Sequence, residues 1–133
     1  MILLLDDDQS RIDAFKSVIK EFSDDIVISW SNAPTMIAEV SEVLPQAKVI
    51  SLDHDLYKLK ETDPDPGTGR DVAEYLANHE ATCPIIIHST NVDASWGMYN
   101  TLTFSGWRVE ILHYTDEEWF GTRWLPMVKS MLE

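Results

Sequence analysis

The chain has 133 residues, 44% of them hydrophobic, and ten Lys and Arg against 23 Asp and Glu give a net charge of −13. That is enough chain for one good core, too apolar for a disordered segment, and too acidic to hold long duplex nucleic acid through its phosphates. No apolar run nears the roughly 20 residues of a membrane span, and residues 1–5 lack the basic flank of a signal peptide. The single cysteine, Cys83, offers no internal disulfide and no cysteine-pair zinc site, so a reducing, cytoplasmic location is expected. The acidity reads in two compatible ways: a solubility device, or carboxylates gathered at a divalent cation. The composition leaves homo-oligomerisation open.

In chain order, Ile2–Leu5 is a continuous apolar strand, as expected when helices cover both faces of a sheet. Asp8 or Ser10 can cap the helix that follows over residues 10–22, where Ile12, Phe15, Ile19 and Phe22 recur at helical spacing. Residues 26–30 form a second strand. Asn32 and Pro34 open a second helix with Met36, Ile37, Val40, Val43 and Leu44 as its buried stripe, ended by Pro45. Val49–Leu52 is the third strand, and it runs into Asp53-His54-Asp55. A long connection over residues 57–68 carries Pro64, Pro66 and Gly67, and loops of that length tend to be lids or binding loops. Gly69 leads into a helix with Val72, Ala73 and Leu76 on one side. Residues 85–87 are the fourth strand. A fourth helix is capped by Asn91 or Asp93 and stopped near Gly106. Trp107, Val109 and Ile111 alternate with Arg108 and Glu110, which suits a half-exposed edge strand. Asp116-Glu117-Glu118 starts a last helical segment, broken by Gly121 and Pro126, with a final helix over residues 126–132.

Five strands alternating with helices predict one α/β domain over residues 1–133: a doubly wound parallel sheet, flavodoxin-like, in the order 2-1-3-4-5 with helices on both faces. That order places strands 1, 3 and 4 side by side. All three end in polar clusters, at the edge where open α/β sheets bind ligands.

Asp6, Asp7 and Asp53, with Asp55 nearby, would repel one another there. A hard cation, Mg²⁺ or Mn²⁺, removes that repulsion; the bland alternative is that Asp7 and Asp8 merely cap the first helix. His54, His88 and His113 fall at or near strand ends. His88 leaves the core next to Ser89, Thr90 and Asn91, so it is read as a general acid or base. A metal-ligand role with His54 and a plain core role stay open. Ser89, Thr90 and Asn91 can hold phosphate oxygens at a helix start, or simply cap it. Lys58, Lys60 and Arg70 flank the long loop as candidate phosphate cations. Trp96, Trp107, Trp119 and Trp124 can stack a base or fill the core.

The motif Leu5-Asp6-Asp7-Asp8-x-Ser10-Arg11, with Asp53 and Ser89, resembles the receiver domain of two-component response regulators. That resemblance implies Mg²⁺ on Asp6, Asp7 and Asp53, phosphoryl transfer to Asp53, and Ser89 as the switch hydroxyl. The chain departs from receivers in strand 5, where Val109-Glu-Ile-Leu-His-Tyr-Thr115 has no Lys, and in its longer loop and added histidines. Leu52-Asp-His-Asp-Leu56, Gly69-x-x-Val-Ala-x-Tyr-Leu76 and Ile87-His-Ser-x-Asn91, with Gly97-Met98, resemble the cyclic-phosphate-processing receiver domain family more closely. The resemblance implies a metal-dependent phosphoesterase acting on a cyclic phosphate of a nucleotide or RNA end. Asp6, Asp7 and Asp53 would hold the metal, His88 and His54 with Asp53 would be catalytic, and Ser89, Asn91, Lys58 and Arg70 would bind phosphate. Within that reading Asp53 can instead act as a covalent nucleophile. The alternative is a diverged, non-enzymatic receiver used in phospho-signalling or protein interaction.

Overall fold

The computed structural model describes residues 1–114 and 118–133, and of Phe120 the backbone alone. Five strands, β1 (Ile2–Leu5), β2 (Val27–Trp30), β3 (Val49–Leu52), β4 (Ile85–His88) and β5 (Val109–Leu112), form one sheet in the order β2-β1-β3-β4-β5. Every pairing is parallel, as the sequence predicts. β1, β3 and β4 are buried at every position. On β5 Glu110 is exposed between buried Val109 and half-buried Ile111, which is the predicted edge alternation. The second strand begins one residue later than predicted, because Ile26 is 62% exposed.

Side chains of one strand alternate between the two faces of the sheet, and two cores result. One holds Leu3, Leu5, Ile50, Leu52, Ile85 and Ile87 under α2 (Ala33–Val43), α3 (Gly69–Leu76) and α4 (Val92–Phe104). The other holds Ile2, Leu4, Val49, Ile86 and Leu112 under α1 (Gln9–Lys20) and α5 (Leu125–Leu132). Each buried Leu or Ile side chain stabilises the fold by roughly 1.5–3 kcal/mol relative to its exposed state. Trp30, Trp107, Trp119 and Trp124 belong to these cores; Trp96 is half exposed on α4.

The helix starts follow their caps. Asp8 accepts from the Arg11 amide and Asn32 from the Thr35 amide. Asn91 accepts from the Ala94 amide, and Thr68 with Asp71 forms a capping box on α3. α4 stops at Gly106, whose φ of 94° suits glycine alone. Near the C-terminus a π-helical turn, Phe120–Trp124, runs directly into α5, so Gly121 and Pro126 change the winding without breaking the segment. Asp116 and Glu117, read as the start of that segment, lie outside the described residues.

The connection over residues 57–68 is fastened at several points. Asp55 and Thr68 form an antiparallel bridge. The Tyr57 amide donates to Asp7 Oδ2 at 2.9 Å and the Ala33 amide to the Pro66 carbonyl at 2.8 Å. Gly69 donates to the His54 carbonyl, and a Cβ there would stand 1.8 Å from the Asp53 carbonyl oxygen. Glycine is what lets α3 start against the end of β3. Among the described residues no helix is long and apolar enough to cross a membrane.

Candidate active site at the carboxyl ends of the central strands

Strand parity and register assemble the site. Leu5 pairs with Leu52, and Leu52 with Ile87. Asp6, Asp53 and His88 therefore emerge at one level, all on the face that α1 and α5 cover, with Ser51 one step below. Asp6, Ser51 and His88 are fully buried and Asp53 is 6% exposed. The two acids lie where the chain winds away from β1 and β3 in opposite directions, the crevice in which open α/β sheets place their ligands.

A hydrogen-bond chain underlies this cluster. The Trp124 indole can only donate, and it reaches Ser51 Oγ at 3.0 Å. Ser51 Oγ lies 2.6 Å from His88 Nδ1, and on the other side of the ring His88 Nε2 lies 3.0 Å from Asp6 Oδ2. Its ring stacks on Trp119 and meets the edge of Phe15. The expectation that His88 leaves the core as the acid or base therefore needs correcting. The residue sits fully buried beneath the site with both nitrogens engaged.

Arg11 sits among the acids. Its NH1 lies 3.2 Å from Asp6 Oδ2, 3.9 Å from Asp53 Oδ2 and 3.0 Å from the Tyr114 hydroxyl, while NH2 lies 3.5 Å from Asp8. Burial pulls the guanidinium pKa down, but Asp6, Tyr114, Asp53 and Asp8 outweigh it and hold the group above its ordinary value. Burial also raises the Tyr114 phenol. Asp53 is the least well compensated group. Burial, then the neighbouring Asp6 charge, push its pKa up to about 7 against the pull of His88, the His54 amide and Arg11.

A cavity of about 250 Å³ opens above these groups, lined by Asp7, Asp8, Arg11, Asp53, Asp55, Tyr57, Thr90 and Tyr114. Of the predicted residues, then, Asp7 and Asp53 line it and Asp6 lies just below. Asp7 gives one oxygen to the Tyr57 amide. His54 Nδ1 bonds Asp55 Oδ1 at 2.8 Å, and Asn91 Nδ2 reaches the same oxygen at 3.4 Å. The chain bends straight after β3, which ties His54 to the cavity through Asp55. Ser89 is buried and its hydroxyl accepts the Asn91 amide, while Asn91 caps α4. Thr90 is the exposed hydroxyl of that trio on the cavity wall. Two predicted cations stand elsewhere. Lys58 lines a neighbouring cavity, and Arg70 pairs with Glu74 and packs against Gly97 between α3 and α4.

Arg11, Tyr114, Tyr57 and the Ser51–Trp124 pair are the members that sequence reasoning missed. Arg11 carried a signal: it lies one helical turn beyond Asp7 and Asp8 and faces back over the strand ends. Ser51 carried one too, as the single polar residue inside a buried apolar strand.

The donor set fits a hard divalent cation. One ligand atom each from Asp6, Asp53 and His88 lies within 4.8 Å of the others, and burial together with the neighbouring Asp6 charge raises the Asp53 pKa to about 7. His88 is the less available member, since both of its ring nitrogens are engaged, by Ser51 and by Asp6. The carboxylates of Asp6 and Asp53 are the groups placed to hold Mg²⁺ or Mn²⁺, with Arg11 as a tethered competitor for the same charge; Asp7, the third expected ligand, lines the cavity with one oxygen on the Tyr57 amide.

Solved structures share this fold. The signal receiver domain of a putative Luxo repressor protein from Vibrio parahaemolyticus superposes with a TM-score of 0.69 at 19% identity, covering 98% of this chain and 88% of that one. The response regulator receiver domain from Rhodospirillum rubrum gives 0.68 at 19%, covering 99% and 94%. A chain of the CheX–CheY–BeF3–Mg²⁺ complex from Borrelia burgdorferi gives 0.67 at 10%, covering 98% and 84%. No curated protein sequence matches. The fold is that of a signal receiver domain. Within it, the chain belongs to the cyclic-phosphate processing receiver domain family, whose model matches residues 1–104.

Proposed function

We propose that the protein is a metal-dependent phosphoesterase that opens a cyclic phosphate of a nucleotide or RNA end. The observation that carries this reading is the pair of buried carboxylates, Asp53 lining an open cavity with its pKa raised to about 7 and Asp6 just below it. A folded chain keeps such a pair at a cost, and a cation with a phosphate ligand removes it. The family's name, cyclic-phosphate processing receiver domain, points to the same substrate class.

When bound, a divalent cation on Asp6, Asp7 and Asp53 would polarise the phosphate and lower the pKa of a water. The chain's own groups do the rest. His88 holds Asp6 in orientation from below. Arg11, on the cavity wall beside the Tyr114 hydroxyl, is the guanidinium available to the phosphoryl oxygens. Thr90 and Asn91 orient the phosphate at the start of α4. Water adds at phosphorus and sheds one proton to solvent, one ring P–O bond breaks, and the leaving oxygen takes up one proton, so the ester is opened with no net change in protons. His54, with Nδ1 held by Asp55, has Nε2 to supply that proton. Long duplex nucleic acid and membranes are not partners in this proposal. It places the protein in the cytoplasm and leaves room for a homo-oligomer. The half-buried Cys83, whose thiol burial pushes up to about 11, suits a reducing compartment.

A non-enzymatic receiver module is the second reading. It is favoured by Asp53 standing at the end of β3 in a receiver fold, and by an Arg11 that already offsets the acids. The two separate on one panel: purified protein with Mg²⁺ or Mn²⁺ against 2′,3′-cyclic nucleotides, cyclic dinucleotides and cyclic-phosphate-ended RNA, and in parallel against acetyl phosphate. The phosphoesterase turns over at least one ester. A stable acyl phosphate on Asp53 with no ester turned over supports the module and defeats the enzyme.

A further inference from the structure

A second cavity, of about 280 Å³, lies beside the first between the start of α2 and the long connection. Asp7 and Tyr57 line both, so the two are neighbours at those residues. The walls differ in chemistry. The first is carboxylates and Arg11. The second is lined by Tyr57, Leu59 and the prolines Pro34, Pro64 and Pro66, together with Lys58, Asn32, Asp63 and Asp65.

Its rim is held in place by hydrogen bonds. The Tyr57 amide is tied to Asp7, Ala33 to Pro66, Lys60 to Asp63 and Gly67 to Asp65. Each of the last two bonds uses one carboxylate oxygen and leaves the other as an acceptor. Tyr57 is 71% exposed and Leu59 86% exposed, although both border the cavity. Large apolar side chains held open on a fastened loop beside a reaction cavity are stacking surfaces without a layer upon them.

We propose that this cavity takes the nucleobase of the substrate whose phosphate occupies the acidic cavity. The ligand is a base-bearing cyclic nucleotide, with its base stacked on Tyr57 and the prolines. The acceptor-rich edge at Asp63 and Asp65 favours a base carrying an exocyclic amine, adenine, guanine or cytosine, over uracil. The inference rests on the proposed phosphoesterase reading for the phosphate half and on the second cavity alone for the base half.

Two measurements keep those halves apart. The first compares kcat/KM with Mn²⁺ for 2′,3′-cyclic AMP, 2′,3′-cyclic UMP and base-free glycerol 1,2-cyclic phosphate. The wild type prefers cyclic AMP over both. Tyr57→Ala lowers the ratio of cyclic AMP to the base-free ester about tenfold through KM, and Tyr57→Phe restores it. The second follows backbone amide shifts on adding adenosine or uridine without metal. Adenosine moves residues 31–35 and 57–66, and uridine moves them less. An unchanged ratio in Tyr57→Ala, or adenosine shifts absent from these residues, overturns the base site. Adenosine shifts here with no ester turned over leave the base site standing and remove the phosphoesterase.

Discussion

Replacing Arg11 by Met keeps the aliphatic stem and removes the charge that lies between Asp6 and Asp53. At 3.2 Å and 3.9 Å each contact amounts to about 4–5 kcal/mol of Coulomb energy at an effective dielectric of 20. Most of that is offset by desolvation. Removing one partner of a buried pair generally costs about 3–5 kcal/mol, and Arg11 keeps 24% of its side chain in water. The expected loss is therefore about 3 kcal/mol in urea unfolding at pH 8 without metal. The same change removes the competitor of a divalent cation, so Mn²⁺ should bind Arg11→Met more tightly and return much of the stability. At a hundred times its dissociation constant it contributes about 2.7 kcal/mol. A loss below about 1 kcal/mol, or equal stabilisation of both proteins by Mn²⁺, would refute the picture of Arg11 as a tethered stand-in for the metal.

The raised pKa of Asp53 makes stability depend on pH with a definite sign. Between the unfolded value of 3.8 and the folded value of about 7 the native state holds the extra proton. Metal-free stability should thus fall as pH rises across that window, by at most on the order of 4 kcal/mol, and Asp53→Asn should flatten the slope. Mn²⁺ should release about one proton on binding at pH 6 and far less at pH 8.5, read by calorimetry in buffers of different ionisation enthalpy. Ser51→Ala strands the Trp124 and His88 nitrogens in the core, for a loss of about 1–3 kcal/mol. By loosening Asp6 it should also weaken Mn²⁺ binding by about 10–100-fold in a titration. Gly69→Ala drives a Cβ into the Asp53 carbonyl; it should lower the melting temperature sharply and cut Mn²⁺ affinity, whereas Gly121→Ala, where a Cβ meets nothing, should change neither.

The strand order, the central trio of polar-ended strands and the positions of Asp6, Asp7 and Asp53 were legible because buried parallel strands advertise themselves as apolar runs. What the runs carry less visibly is pleat parity. Counting alternate residues along β3 and β4 puts Ser51, Asp53 and His88 on one face, yet only the register shows that His88 stops beneath Asp6 instead of in the cavity. Arg11 was hidden for a related reason. Its role depends on a long side chain reaching back from the first turn of α1 over two strand ends, a distance that spacing alone does not encode. Arg70 failed in the opposite direction: its nearness in sequence to the loop suggested the site, but the helical turn carries it to the α3–α4 seam.

The most direct test of the central claim is ³¹P NMR of 2′,3′-cyclic AMP incubated with the wild-type protein and with Asp53→Asn, each with Mn²⁺ and with a chelator. The proposed function predicts that the cyclic phosphate signal gives way to a monoester signal only for the wild type with Mn²⁺, and at least a hundredfold more slowly for Asp53→Asn. Ring opening that persists in the chelator, or that Asp53→Asn supports at the wild-type rate, would contradict it.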